Sequence, residues 1–175
     1  MSRFRLGYWR TLERVTNLIE LLISCHPQGF GVLLGDVEPP DSLMIHEMMN
    51  AGRVPMPDDF KPTTPSNETE AERIMYDREY FDESVALAGG WAHIHKTLRE
   101  YRSAAPDIWK IVTDHAKFVK TSSSRLMSML KYVAVRHKVS PTTVMKYRRE
   151  FPHKFAEFLL VLPSDGESFH LLPSG

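Results

Sequence analysis

The sequence predicts an all-α protein: a multi-helix domain that ends in a helix-turn-helix and carries a proline-rich acidic arm. Two observations predict the helices. Apolar residues recur at steps of three and four in several separate stretches, which is the period of a helix stripe. Chain breakers, among them His26-Pro27 and Gly89-Gly90, fall between those stretches. A third observation divides the molecule. Residues 91–160 hold 14 Lys+Arg against 5 Asp+Glu, a net of +9, whereas the remainder holds 8 against 17, a net of −9. The zero net charge of the whole chain therefore conceals a basic part suited to a polyanion and an acidic part that must face elsewhere.

Tyr8, Leu12, Val15, Ile19 and Leu22 share one stripe, so a helix runs to about Ser24 and stops at His26-Pro27. The apolar run Phe30 to Leu34 sits beside glycines and is too brief to assign to a strand or a buried turn. Ser42 is expected to cap a short helix carrying Met44, Ile45, Met48 and Met49, with Gly52 after its end. Six of the twelve prolines lie between Pro39 and Pro65, and the spacing of Pro55, Pro57, Pro62 and Pro65 bars a regular element, as in a linker or arm. Asn67 to about Leu87 is rich in helix formers and acids, with Ile74, Met75, Tyr80 and Phe81 available for packing. Residues 36–83 hold 13 acids against 4 bases, which suits a solvated linker and exposed helix face, or a partner-binding or autoinhibitory arm.

The basic half reads as four helices. Trp91, Ile94, Leu98 and Tyr101 form one stripe; Ile108, Ile111, Val112, His115, Phe118 and Val119 form a second, opened by Asp107 at the positive helix end. Ser124 to His137 and Pro141 to about Leu160 follow, the latter with a candidate interruption at Pro152. The organisation expected is an N-terminal helical segment (1–35), an acidic proline-rich linker and helix (36–88), a helical domain with the helix-turn-helix (89–163) and a tail (164–175).

Several function classes are disfavoured. No apolar run approaches a membrane span; the nearest, Leu18 to Ile23, contains Glu20, and the start has no secretory-signal pattern, so a cytoplasmic protein is expected. Cys25 has no disulfide partner and reads as a small buried hydrophobe. His93 and His95, two apart on a helix, point in different directions and hold no metal together. His46 beside Glu47, His115 beside Asp114, and His137 are spread over different helices without forming a catalytic pair. Gly29-x-Gly31 with Gly35 lacks the Lys-Ser/Thr and βαβ surroundings of a phosphate loop. No catalytic residue, metal or cofactor is expected.

One stretch, Leu130 to Arg149, has the residue types that two short helices need to meet steeply around a tight turn. Ala134 is small where the helices cross; Val133, Val139, Val144 and Tyr147 face inward; Ser140 caps the second helix and Pro141 opens it. Lys138 stands at the turn position where glycine is usual, so a left-handed backbone there costs about 1–2 kcal/mol. With Val144 and Tyr147 inward, Pro141, Thr142, Met145, Lys146 and Arg149 point outward, as on a helix lying in the major groove. Thr142, Lys146 and Arg149 are the base-reading candidates. Ser123, Ser124, Arg125, Lys131, Arg136, Lys138 and Lys154 are placed to meet phosphates.

Val133-Ala134 to Thr143-Val144 resembles the helix-turn-helix of many bacterial repressors. A longer stretch resembles phage late-gene antiterminators of the Q class and their prophage relatives: Leu98-x-x-Tyr101-Arg102, Pro106-Asp107-x-Trp109, the helix-turn-helix, then Ala156-Glu157-x-x-Leu160-x-x-Pro163. That similarity covers roughly 70 of the 175 residues. It implies a transcription regulator that binds double-stranded DNA and engages host RNA polymerase, with Ser140 to Arg149, Thr143 included, as DNA contacts. Two other readings stay open: a small terminase subunit that marks viral DNA within a ring of copies, and a protein-interaction module without DNA binding.

Overall fold

Over the residues that the computed structural model describes, 7–51, 69–121 and 126–161, the backbone is helical in eight stretches and forms no strand. The first, α1 (Tyr8–Cys25), buries Leu12, Val15, Leu18, Ile19, Leu22 and Ile23 along its stripe. It ends where His26 turns extended ahead of Pro27, with the His26 N–H still reaching the Leu22 carbonyl at 3.1 Å. Cys25 is half-buried against the core. The unassigned apolar run is helical: α2 (Gly29–Leu34) buries Val32, Leu33 and Leu34 and is closed by Gly35 at φ 85°. A six-residue helix is too short for the period to identify, and its glycine has a steric cause. At Gly29 an added Cβ would collide with the Leu22 carbonyl group, so the two helices approach backbone to backbone.

The cap of α3 (Ser42–Ala51) differs from expectation. Asp41 holds it, its Oδ1 accepting the Met44 N–H at 2.8 Å; Ser42 is the first helical residue and takes a 3.4 Å bond from Arg78. Gly52 and the prolines from Pro55 to Pro65 lie outside the described residues. Thr69 caps α4 (Glu70–Leu87), its Oγ1 accepting from the Glu72 N–H at 3.1 Å. The packing face of α4 also departs from expectation. Asp77, Phe81, Ser84 and Val85 turn inward, whereas Met75 and Tyr80 are exposed, Tyr80 lying under the Arg14 guanidinium at 3.7 Å. Beside the apolar contacts of Phe81 and Val85, polar groups hold α4 to α1: Arg14 donates to Ser84, Glu83 and the Tyr80 carbonyl.

The basic half contains the four helices expected: α5 (Trp91–Ala104), α6 (Pro106–Thr121), α7 (Leu126–Arg136) and α8 (Pro141–Val161). Pro152 does not interrupt α8, which runs on as one 21-residue helix. Lacking an N–H, Pro152 leaves the Arg148 carbonyl without its helical partner, at a cost of about 3 kcal/mol. Buried Phe151 and Phe155 on either side offset that cost by staying in the core.

One main core draws on all three stretches distinguished in the sequence. It joins α1 and α2, Ile45 and Met48 of α3, Phe81 and Val85 of α4, Ile94, Leu98 and Tyr101 of α5, and Phe151, Phe155, Leu159 and Leu160 of α8. Tyr101 meets Phe151 and Phe155 edge-on, and those two phenyl rings stack at 5.7 Å. His93 and His95 serve this packing separately, Nε2 of His93 donating to the Leu159 carbonyl (2.9 Å) and Nε2 of His95 to that of Val32 (3.2 Å). No described helix is long and apolar enough to cross a membrane.

The α1–α2 contact tolerates no side-chain carbon at Gly29. Gly29→Ala is expected to lower unfolding free energy by about 3 kcal/mol, measured by urea denaturation, because backbone rather than a movable side chain must give way.

Candidate nucleic-acid interface

A second, smaller core holds the start of α8 against α6 and α7. Ile111 of α6, Leu130, Val133 and Ala134 of α7, and Val144 of α8 are buried together, with Val139 and Tyr147 packed on them. Val133, Ala134, Val139, Val144 and Tyr147 are the residues the sequence places inward; Leu130 joins them. The turn between the helices closes α7 by two hydrogen bonds, Lys138 N–H to the Val135 carbonyl (3.2 Å) and Val139 N–H to the Ala134 carbonyl (3.0 Å). That pairing requires a left-handed residue between them. Lys138 fills the position at φ 57°, the only described non-glycine residue with positive φ. Val139, immediately after it, returns to pack on the smaller core.

The second helix then starts as expected. Ser140 Oγ accepts the Thr143 N–H at 3.1 Å and lies 2.9 Å from the Thr143 hydroxyl. Ser140 and Thr143 are thus committed to the cap, Thr143 being only half exposed. One turn and two turns on, Lys146 and Arg149 are exposed, as is Thr142. None of those three has an ion pair or side-chain hydrogen bond among the described residues. The neighbouring arginine behaves differently. Arg148 turns inward and forks onto Glu20 of α1, with Nη1 to Oε1 at 3.2 Å and Nη2 to Oε2 at 3.0 Å, and also donates to Ser24 at 2.8 Å. Burial of the Glu20 carboxyl raises its pKa, but the hydrogen bonds from Arg148 and Ser24 and the charge of Arg148 outweigh this, so it titrates below the ordinary value.

Of the expected phosphate contacts, Lys131, Lys138 and Lys154 are exposed without an ion pair among the described residues. Arg136 is exposed too but shares its charge with Asp114 at 3.4 Å. Ser123, Ser124 and Arg125 lie outside the described residues. Between Lys146 and Lys154, one turn from each, stands Glu150; the three line a shallow hollow with Tyr101, Ile108, Tyr147 and Phe151. The carboxylate there lowers the positive potential on that flank of α8.

Two His–Asp pairs were not legible as pairs. Nε2 of His137 donates to Asp114 Oδ2 at 2.7 Å, tying the turn to α6. Nδ1 of His46 donates to Asp77 Oδ2 at 2.7 Å, while its Nε2 lies 3.0 Å from the Asn50 amide, tying α3 to α4. His137 thus bonds an acid 23 residues away, and His46 an acid 31 residues away rather than Glu47 beside it, because adjacent helical residues face about 100° apart and carry no local pairing signal. His115, buried on α6, has both ring nitrogens without a hydrogen-bond partner. Burial, and then the charge of Arg148, lowers its pKa. Among the described residues no group of three or more His, Cys, Asp or Glu could hold a metal ion. Compared with known proteins, the chain matches no family model, no curated sequence and no solved structure.

Two consequences are measurable by urea denaturation. Lys138→Gly is expected to raise stability by up to about 1 kcal/mol and Lys138→Val to lower it by at least as much, the reverse of their order within a helix. For His115, a folded pKa below the unfolded value of about 6.5 means that the folded chain binds fewer protons. Its contribution to stability is whole above that pH and is lost as pH falls through the folded pKa. His115→Leu is therefore expected to reduce the acid-side slope while leaving the protein at least as stable at pH 7.5, a pH at which two unpartnered nitrogens otherwise cost about 1–3 kcal/mol.

Proposed function

We propose that the chain binds double-stranded DNA by seating the first turns of α8 in the major groove, and that it acts as a transcription regulator of the phage or prophage kind. The observation that carries the reading is the split between the two sides of one helix start. Val144 and Arg148 are held by the protein; Thr142, Lys146 and Arg149 face solvent with nothing bound to them. From Thr142 to Arg149 the helix rises about 10 Å, the length of about three base-pair steps, and a helix fits the groove of about 12 Å. Arg149 offers a fork to a guanine edge, Lys146 a point charge, and Thr142 a hydroxyl and a methyl.

Lys131, Lys138 and Lys154 supply the surrounding positive charge that neutralises phosphates and releases counterions. Arg136 contributes less than its exposure suggests, since Asp114 already holds part of its charge. The acids concentrated on α4 are repelled by duplex, so that helix faces away from it. Engagement of RNA polymerase, which the antiterminator resemblance implies, is the finer part of the reading.

The binding reading is tested by titrating the chain with random and with selected duplexes at several salt concentrations. Affinity is expected to fall steeply with salt. Arg149→Ala is expected to cost about 1–3 kcal/mol on the selected site and to relax preference at its base pair. Lys131→Ala is expected to weaken all duplexes alike and to reduce the salt slope by about 1. Unchanged site preference in Arg149→Ala would overturn the assignment of α8 as the reading helix, and absence of duplex binding at low salt would overturn the reading itself. A pull-down with host RNA polymerase separates the regulatory part from the binding part.

A further inference from the structure

His115 stands on α6 one turn after Ile111 of the smaller core and Val112 of the main one, so its ring occupies the seam between the two. It is 6% exposed, and neither ring nitrogen has a hydrogen-bond partner. A neutral imidazole can be kept in such a place; an imidazolium brings two N–H donors and a charge that the seam does not accommodate. Across the seam, on α8, the charge that acts on the ring is Arg148, whose guanidinium forks onto Glu20 of α1 and donates to Ser24. The other charged groups around α6 are engaged or turned outward. Asp114, next to His115, holds Arg136 and His137; on α8, Glu150 faces the hollow beside Lys146; Lys110 and Lys117 of α6 itself, Lys131 of α7, and Arg99, Glu100 and Arg102 of α5 are exposed. His26, between α1 and α2, accepts the Gln28 N–H on Nδ1.

We propose that protonation of His115 unlatches the start of α8: it opens the Arg148 fork on Glu20 and frees the first turns of the helix to rotate, so that acid withdraws the face presented by Thr142, Lys146 and Arg149. The charged ring must reach water and is repelled by the guanidinium, so one of the two has to leave. Arg148 is the group that can yield. Its side chain is 15% and that of Glu20 45% exposed, so their contact borders on solvent and opens outward. The apolar contacts of Phe151, Phe155, Leu159 and Leu160 do not titrate, and the second half of α8 stays in the main core. Burial, and then the charge of Arg148, lowers the His115 pKa, so the latch is closed above the ordinary histidine range and opens as pH falls through the folded value. The closed form excludes one proton that the open form takes up, so duplex affinity falls by up to about tenfold per pH unit below that value. Only this effect on duplex rests on the proposed reading of α8; the unlatching does not.

An NMR titration of the full chain without nucleic acid, from about pH 7.5 to about pH 5, tests this. Glu20, which titrates below its ordinary value, stays ionised over that range. The His115 ring is expected to titrate below about 6.5, and the amide resonances of Thr142 to Arg149 to move with the same midpoint, while those of Val85 and Ile94 in the main core hold still. His115→Leu and His115→Phe, the second of which keeps a ring, are expected to abolish that movement, and circular dichroism melts establish that they fold. His137 remains in both variants, so a response that belongs to the turn survives them. Duplex titrations across the same range are expected to show the parent losing affinity relative to either variant as pH falls. A ring that stays neutral to pH 5, α8 amides that do not follow it, movement that persists in a folded variant, simultaneous loss of all amide resonances, or equal pH dependence of duplex affinity in parent and variants would each overturn the proposal. Unlatching without duplex binding at any pH would instead support the latch and overturn the reading of α8.

Discussion

The way α8 is shared between two cores, with α6 beside it, is the constraint on which the rest of the molecule depends. The first turns of α8 are packed by Val144 and Tyr147 against α6 and α7, and its second half is buried by Phe151, Phe155, Leu159 and Leu160 against α1 and α5. At the junction, the Arg148 fork onto Glu20 fixes the rotation of the rod about its own axis. Rotation decides everything about the candidate interface, because a turn of about 100° would exchange Arg148 and Arg149. The continuity of α8 through Pro152 connects the two cores, together with α6, whose Val112 lies in the main core and whose Ile111 lies in the smaller one.

The same constraint limits how α8 can meet a partner. On the proposed reading, the groove receives α8 by its exposed N-terminal turns, with supporting charges from α7, the turn and the flank near Lys154. The turn itself is rigidly specified. Its left-handed lysine is held by two backbone bonds, and His137 fastens the adjoining residue to Asp114 on α6. A strained lysine in place of glycine leaves an exposed ammonium at the point where α7 gives way to α8.

Where it is described, the acidic stretch is packed into the same core as the basic half. The acidic stretch contributes Ile45, Met48, Phe81 and Val85 to the main core, and polar groups fasten it: Arg14 across α4, and His46 with Asp77 between α3 and α4. The acids on α4, with Glu47 on α3, are therefore displayed by packed helices at fixed positions. That converts a compositional asymmetry into a molecule with distinct faces.

Periodicity by itself determined the all-α class, the stripes of α1, α5 and α6, and the inward set of the helix-turn-helix, since a repeat of 3.6 is imposed by local backbone geometry and needs no partner. Turn chemistry was equally local: Ser140 and Pro141 at a helix start, and the left-handed requirement at Lys138, could be read from neighbouring residues. Six-residue α2 had too few turns to show a period, and the cap of α3 fell to Asp41 because two adjacent residues were both able to serve. Only the tertiary structure decided which acid each histidine meets, which side of α4 is buried, and that Arg148 is spent on Glu20 while Arg149 is left to solvent. Those outcomes join residues 23 to 128 positions apart, and chain neighbours carry no information about contacts that the packing of whole helices creates.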